Sequence, residues 1–334
     1  MLTASKGTDK DVVIPEGVET IFEDAFRWCR KITGVTRPES LTVIGASVFE
    51  GCTGLTEVTI PVGVKSLDFA PFAACTDLRS IHVDPENGSY CDIDGVLCTK
   101  DKKALLAYPC GKGSEYAVPE GITRVSLSAF DQCEKIVKVT LPKSYSIVET
   151  KFPFNTCGNR ATISIDPENS KFTDVGNLVL TKDKKELVFS PLAQTGDLVI
   201  PYGVTKIWHM AVDKPERFSS IIIPDTVARM EVSAFNAGLP LENVYYTGSK
   251  EDWEKINFVY ERDVLKMSNI HFNATMPTPT PGPTATPSSI PAPTPVPTAT
   301  PAPVGGFMDV VCRGGTVCRG ERSDGGRGGP LSAQ

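Results

Sequence analysis

Apolar residues return along the first 275 residues in one short pattern, repeated seven times. Its clearest copy reads Ile14-Pro15-Glu16-Gly17-Val18, followed by Ile21, Ala25-Phe26, Cys29, Ile32 and Val35. The proline recurs at Pro38, Pro61, Pro119, Pro142, Pro201 and Pro224, 23 residues apart wherever no insert intervenes. Counted from each proline, position +3 holds Val18, Leu41, Val64 and Ile122, and position +6 holds Ile21, Ile44, Leu67 and Val125. Position +11 is Phe26, Phe49, Phe72, Phe130 and Phe235, and position +20 is Val35, Val58, Ile81, Val139 and Ile221. A short fixed period with sparse apolar positions is the mark of a solenoid, in which one repeat cannot bury its apolar face alone.

Local structure follows from the same pattern. Leu55-Thr56-Glu57-Val58-Thr59-Ile60 ends in apolar–polar–apolar alternation, which predicts a strand with one face inward. The proline that follows cannot donate to a ladder and ends it. Ala-Phe-x-x-Cys spaces apolar residues for one helical or 3₁₀ turn. The predicted fold is a β-rich solenoid with short helical or 3₁₀ turns and the repeat strands in one curved parallel sheet. In the sixth copy Val212 and Pro215 stand where Phe and Cys would fall, which predicts looser packing there.

Two inserts interrupt the period, near 84–117 and 166–199. Asp84-Pro85-Glu86-Asn87 and Asp166-Pro167-Glu168-Asn169 lie 82 residues apart, and the same offset superposes Thr99-Lys100-Asp101-Lys102-Lys103 on Thr181-Lys182-Asp183-Lys184-Lys185. A larger unit was therefore duplicated. In the first insert, Gly95–Cys98 and Ala104–Tyr108 flank a polar turn and read as a β-hairpin with a solvated lysine tip.

The array is assigned to 14–273, with 1–13 as an N-terminal edge that reads as the inside of a larger protein. Met1–Gly7 has no apolar signal-peptide core. Residues 274–304 are a charge-free Pro/Thr linker, expected to be extended and disordered. Residues 305–334 form a Gly/Arg-rich tail with too few apolar positions for a core, either disordered or read out of frame.

The net charge of −6 argues against nucleic acid, which needs a basic face, and no apolar run is long enough for membrane insertion. Five of the ten cysteines, Cys29, Cys52, Cys75, Cys133 and Cys157, hold one repeat position and read as buried, reduced core thiols. Cys91, Cys98 and Cys110 lie together in the first insert, where a disulfide is one alternative.

Taken together, these motifs resemble the BspA-type leucine-rich repeats of bacterial surface proteins. The insert motifs and the closing run Val244-Tyr245-Tyr246-Thr247-Gly248-Ser249, Trp253 and Ile270-His271-Phe272-Asn273 agree with that family in order. The resemblance implies a secreted or cell-surface protein that adheres to host or neighbouring-cell proteins or glycans. It implies no enzyme and no cofactor.

Candidate chemistry is sparse. His82, His209 and His271 stand beside no nucleophile motif. Asp84, Glu86, Asp92 and Asp94 could suggest calcium, but turn chemistry accounts for them. What remains is the outward row of the strands at position +21: Thr36, Thr59, His82, Thr140, Ser164, Ile222 and Tyr245. Solenoids bind through such rows. Tyr245 and Tyr246 are the candidate anchors. The alternative function is an accessory module that positions an enzyme or wall-anchor domain beyond the linker.

Overall fold

The computed structural model describes residues 10–148, 153–154, 161–191, 193, 196–236, 243–259, 269–277, 310–311 and 317–318. It divides into two units, Met1–Thr278 and Pro279–Gln334. The first unit is a β-solenoid of about 10 turns with almost no helix. Among the described residues its one α-helix is the single turn Lys250–Trp253, capped by the Ser249 hydroxyl, which accepts from Asp252 N. In the second unit, where no element is predicted, Val310–Val311 and Val317–Cys318 pair antiparallel.

Each coil is built from the predicted alternation. In Glu57–Ile60, Val58 and Ile60 are buried while Glu57 and Thr59 face outward. The proline that follows opens a turn closed by its own carbonyl. Val18, Leu41, Val64, Ile122, Tyr145, Val204 and Val227 each donate N–H to the carbonyl of the proline three residues back. Gly17, Gly121 and Gly203 sit in these turns at φ +84°, +96° and +94°, a conformation that glycine adopts without a Cβ penalty. The turns are also stitched to one another. Gly17 N donates to Ser40 Oγ at 3.0 Å, and that hydroxyl donates to Val18 O at 3.0 Å. Gly121 with Ser144 and Gly203 with Thr226 repeat the arrangement.

The strands do not form a single sheet. Besides the outward row there is a second row of parallel two-residue strands. Thr20–Ile21, Val43–Ile44 and Ser66–Leu67 pair in register, as do Lys206–Ile207, Arg229–Met230 and Asn257–Phe258. Each contributes one inward side chain, such as Ile21 or Ile44, so the sequence shows no strand-like alternation there. The outward row is itself divided into four hydrogen-bonded groups.

The Ala-Phe-x-x-Cys stretch closes the coil through i→i+3 bonds, with Arg27 N donating to Asp24 O and Cys29 N to Phe26 O. The intervening amides reach the next coil, as Phe26 N does to Val48 O and Trp28 N to Glu50 O. Left-handed residues break any helix: Asp24, Ser47 and Ala70 nine residues after the proline, and Trp28, Gly51 and Ala74 thirteen after it. At Gly51 a Cβ would collide with the Trp28 ring. The phenylalanines stack through the core, Phe26 on Phe49 at 5.4 Å and Phe49 on Phe72 at 5.7 Å. In the sixth copy Val212 is fully buried and pairs with Phe235.

The inserts are part of the core. Tyr90–Ile93, Val96–Thr99 and Ala104–Ala107 form an antiparallel meander, and Ala104–Ala107 then pairs parallel with Arg124–Val125 of the next coil. Within Val96–Thr99, Leu97 packs with the residues of the first coils, while Val96 and Cys98 pack with the residues that follow. The second insert repeats this with Leu178, Val179 and Leu180, divided between two core clusters. A strand buried on both faces thus joins successive parts of the core.

Candidate binding face

The outward row lies where the alternation puts it. Thr36 pairs with Val13, His82 with Thr59, and Thr140 with both Ala117 and Ser164. Thr36 and His82 are exposed, and Thr59, Thr140 and Ser164 are half-buried. Further along, Val199, Ile222, Tyr245 and His271 stand in one continuous register. The Tyr245 and His271 rings stack at 4.8 Å with an interplanar angle of 21°. The row therefore changes along the solenoid from hydroxyls to an apolar and aromatic ladder.

Tyr246 is not on this face. It is 1% exposed and packs against Trp253 at 5.1 Å. The reason is strand parity: a residue beside an outward Tyr245 must point inward. Val13, Ala117, Val199 and His271 were not in the predicted row. Carrying the strand register through the inserts and to Ile270–His271 would have found them.

The thiols lie elsewhere. Cys29, Cys52 and Cys75 are buried and free, and the Cys52 and Cys75 thiols donate to Phe26 O and Phe49 O at 3.1 and 3.0 Å. Burial pushes Cys52 up to about 12 and Cys75 upward as well. Cys133 departs from the expectation of reduced thiols, being joined to Cys110 in a disulfide. The first insert resumes the coil at Tyr108, which stacks on Phe130 at 5.0 Å, and so brings Cys110 beside Cys133 with Cα atoms 4.7 Å apart. Cys91 and Cys98 are free. Cys157 lies outside the described residues.

The insert carboxylates serve the backbone. Asp84 accepts from Glu86 N at 2.9 Å, Asp92 from Val83 N at 2.9 Å, and Asp174 from Ile165 N at 2.9 Å. Among the described residues no three His, Cys, Asp or Glu side chains converge as metal ligands do. The lysine tips are tied down in part: Lys100 Nζ donates to Pro85 O at 3.0 Å and Lys182 Nζ to Pro167 O at 2.7 Å. His209 Nδ1 lies 2.6 Å from Val232 O. Among the described residues no helix is long and apolar enough to cross a membrane.

Known proteins agree with this architecture. The family model described as BspA type leucine rich repeat region matches six copies, over residues 6–92, 106–185 and 185–276. The chain belongs to the BspA-type leucine-rich-repeat family. Among solved structures it is similar to a leucine rich cell surface protein from Faecalibacterium prausnitzii, at 29% identity and a TM-score of 0.51. That match covers 74% of this chain and 62% of the other, so this chain spans less than two thirds of that protein. A second match is the pneumococcal vaccine antigen PcpA, at 17% identity, 80% coverage of each chain and a TM-score of 0.44. A third is a leucine-rich repeat protein from Eubacterium ventriosum, at 18% identity and a TM-score of 0.42, covering 65% and 55% of the two chains. A search of curated proteins finds no match.

Proposed function

We propose that the chain is a cell-surface or secreted binding module without catalytic activity, taking protein or glycan partners on its outward strand row. The observation that carries this reading is the in-register run Val199, Ile222, Tyr245 and His271, which ends in a ring stack turned away from the core. Aromatic side chains held by a rigid sheet dominate contact energies, because they lose little conformational freedom on binding. The threonines and serine along the rest of the row supply hydrogen-bonding hydroxyls without bulk. The family, and the description of the F. prausnitzii protein as a cell surface protein, support the location.

The test is a binding screen of the purified chain against immobilised matrix proteins and glycans, with Tyr245→Ala as the variant. Truncation of an aromatic anchor costs about 2 kcal/mol, or roughly 30-fold in affinity. Lys103→Ala, on an insert turn away from the row, serves as the control and leaves affinity unchanged. Equal affinity of Tyr245→Ala and the native chain for every ligand found would remove this face from consideration.

A further inference from the structure

The first insert carries two free thiols that the binding face does not use. Cys91 and Cys98 stand directly opposite each other in the antiparallel pair of Tyr90–Ile93 with Val96–Thr99. In the same register, two residues further out, Lys100 N donates to Ser89 O at 3.0 Å. The alternation of an antiparallel ladder then makes Cys91 and Cys98 a hydrogen-bonded pair, with Cα atoms about 5.5 Å apart. A disulfide bridges Cα separations of about 4.4–6.8 Å. Side chains of opposed residues leave the sheet on the same face, so the two sulfurs share one side of the hairpin. Cys91 is half-buried and reachable from solvent, whereas Cys98 is buried.

The duplicated insert is an internal comparison. At the offset of 82 residues the two positions are Thr173 and Leu180, and these also stand opposite each other. The hairpin therefore forms without a thiol at either position. Two cysteines occur as an opposed pair in one copy, and neither occurs in the other. A cross-strand bond accounts for that pattern, because one cysteine without its partner has no covalent use.

We propose that Cys91 and Cys98 are a redox modification site, closing to a cross-strand disulfide when the chain meets a low-molecular-weight disulfide of the glutathione class. The Cys91 thiol loses its proton to solvent, and its thiolate attacks one sulfur of the small disulfide. This forms a mixed disulfide and expels one small thiolate. The Cys98 sulfur then attacks Cys91 Sγ, its proton passing to the second small thiolate as that thiolate is expelled. Two protein thiols are oxidised, and one small disulfide is reduced to two thiols. The bond fixes the strand next to Tyr90. That hydroxyl accepts from Leu67 N at 3.0 Å and donates to Lys65 O at 3.3 Å, so it occupies the open edge of Ser66–Leu67. Closure thus pins the insert onto the coil before it.

The experiment treats the full chain with oxidised glutathione, blocks remaining thiols by alkylation and maps the peptides by mass without reduction. The expected product is a peptide linked through Cys91 and Cys98, with a melting temperature about 5 °C higher than that of the untreated chain. A double variant, Cys91→Thr with Cys98→Leu, takes the residues of the second insert and shows neither the link nor the rise. Treated protein that, once unfolded without reductant, releases both Cys91 and Cys98 as alkylatable thiols overturns the proposal. So does a mixed disulfide that stops at Cys91, or a link from either cysteine to Cys110 or Cys133. The peptide map of the native chain decides the question even if the double variant fails to fold.

Discussion

Arg37 shows what a single residue does to a repeat. It follows the strand Gly34–Thr36 at the inward place that Ile14, Ile60, Leu141, Ile200 and Ile223 fill in other coils. Its Nε donates to Val35 O at 3.1 Å, but its Nη1 is buried without a partner among the described residues. Burial also lowers its pKa. The outward row is interrupted at this point, with Gly34–Thr36 and Glu57–Ile60 in separate sheets. A buried polar atom left unpaired costs about 1–3 kcal/mol. Arg37→Ile is therefore expected to stabilise the chain by about 1–2 kcal/mol, less than the full penalty because an arginine stem already covers apolar surface. Urea unfolding of the two proteins measures it, and a lower midpoint for the isoleucine variant would contradict the argument.

Asn87 is the opposite case, a buried polar residue with its groups used. It is fully buried, and its Nδ2 donates to Pro61 O at 2.8 Å and Val64 O at 3.0 Å. Its Oδ1 accepts from Ser89 N and Tyr90 N at 2.9 and 2.8 Å. Asn169 repeats the role at the second insert. Asn87→Ala leaves several buried backbone groups unpaired at once. The expected loss is about 3 kcal/mol or more, since each orphaned group costs about 1–3 kcal/mol. A melt within experimental error of the native one would sink this reading. The sequence pattern showed only a turn here, because a side chain that bonds backbone carbonyls of a neighbouring coil leaves no periodic trace.

At the scale of elements, the strands that end at each proline were legible because Val58 and Ile60, with their equivalents, alternate with polar residues. The second row was not, since strands of two residues such as Val43–Ile44 carry one inward side chain each. Tyr246 departs from the predicted face for a different reason: the alternation that identifies the strand sends neighbouring rings to opposite faces. The Cys110–Cys133 bond cannot be read from its separation of 23, because Cys29, Cys52 and Cys75 share that spacing and are free; the signal is a local shift. The ladder cysteines follow their phenylalanines by three residues, whereas Cys110 follows Tyr108 by two. That shift carries Cys110 out of the thiol ladder and against Cys133. A thiol reagent applied to the native chain under non-reducing conditions should leave Cys29, Cys52, Cys75 and Cys98 unlabelled. The Cys52 and Cys98 thiols, pushed up to about 12 by burial, stay protonated at ordinary alkaline pH. Unfolding without reductant should release these four while Cys110 and Cys133 stay blocked. Rapid labelling of Cys75 in folded protein would show that the core opens readily at this ladder.

At the scale of the whole molecule, stability comes from stacked neighbours, so truncation has a sharply position-dependent cost. The solenoid's last bonds run slightly past the predicted end of the array at 273: Asn273 N donates to Gly248 O at 2.9 Å and Ala274 N to Tyr246 O at 3.0 Å. Residues 278–334 carry no apolar periodicity that could cover a core face. A chain ending at Pro277 is therefore expected to melt with the full-length protein, within the roughly 0.5 kcal/mol of ordinary surface changes. A chain ending at Asn269 loses Ile270–His271, which pairs with Val244–Tyr246, and with it Phe272, whose ring packs at 6.5 Å from Tyr246 and 6.4 Å from Trp253. Those large side chains then face water, and uncovering one costs about 1.5–3 kcal/mol. The same cut removes His271 from the Tyr245 stack, so it weakens any ligand that rests on the aromatic end of the row. Thermal melts of the three lengths, with binding measured on each, separate the two effects. A full-length melt well above that of the chain ending at Pro277 would mean that the segment after the array contributes to the fold.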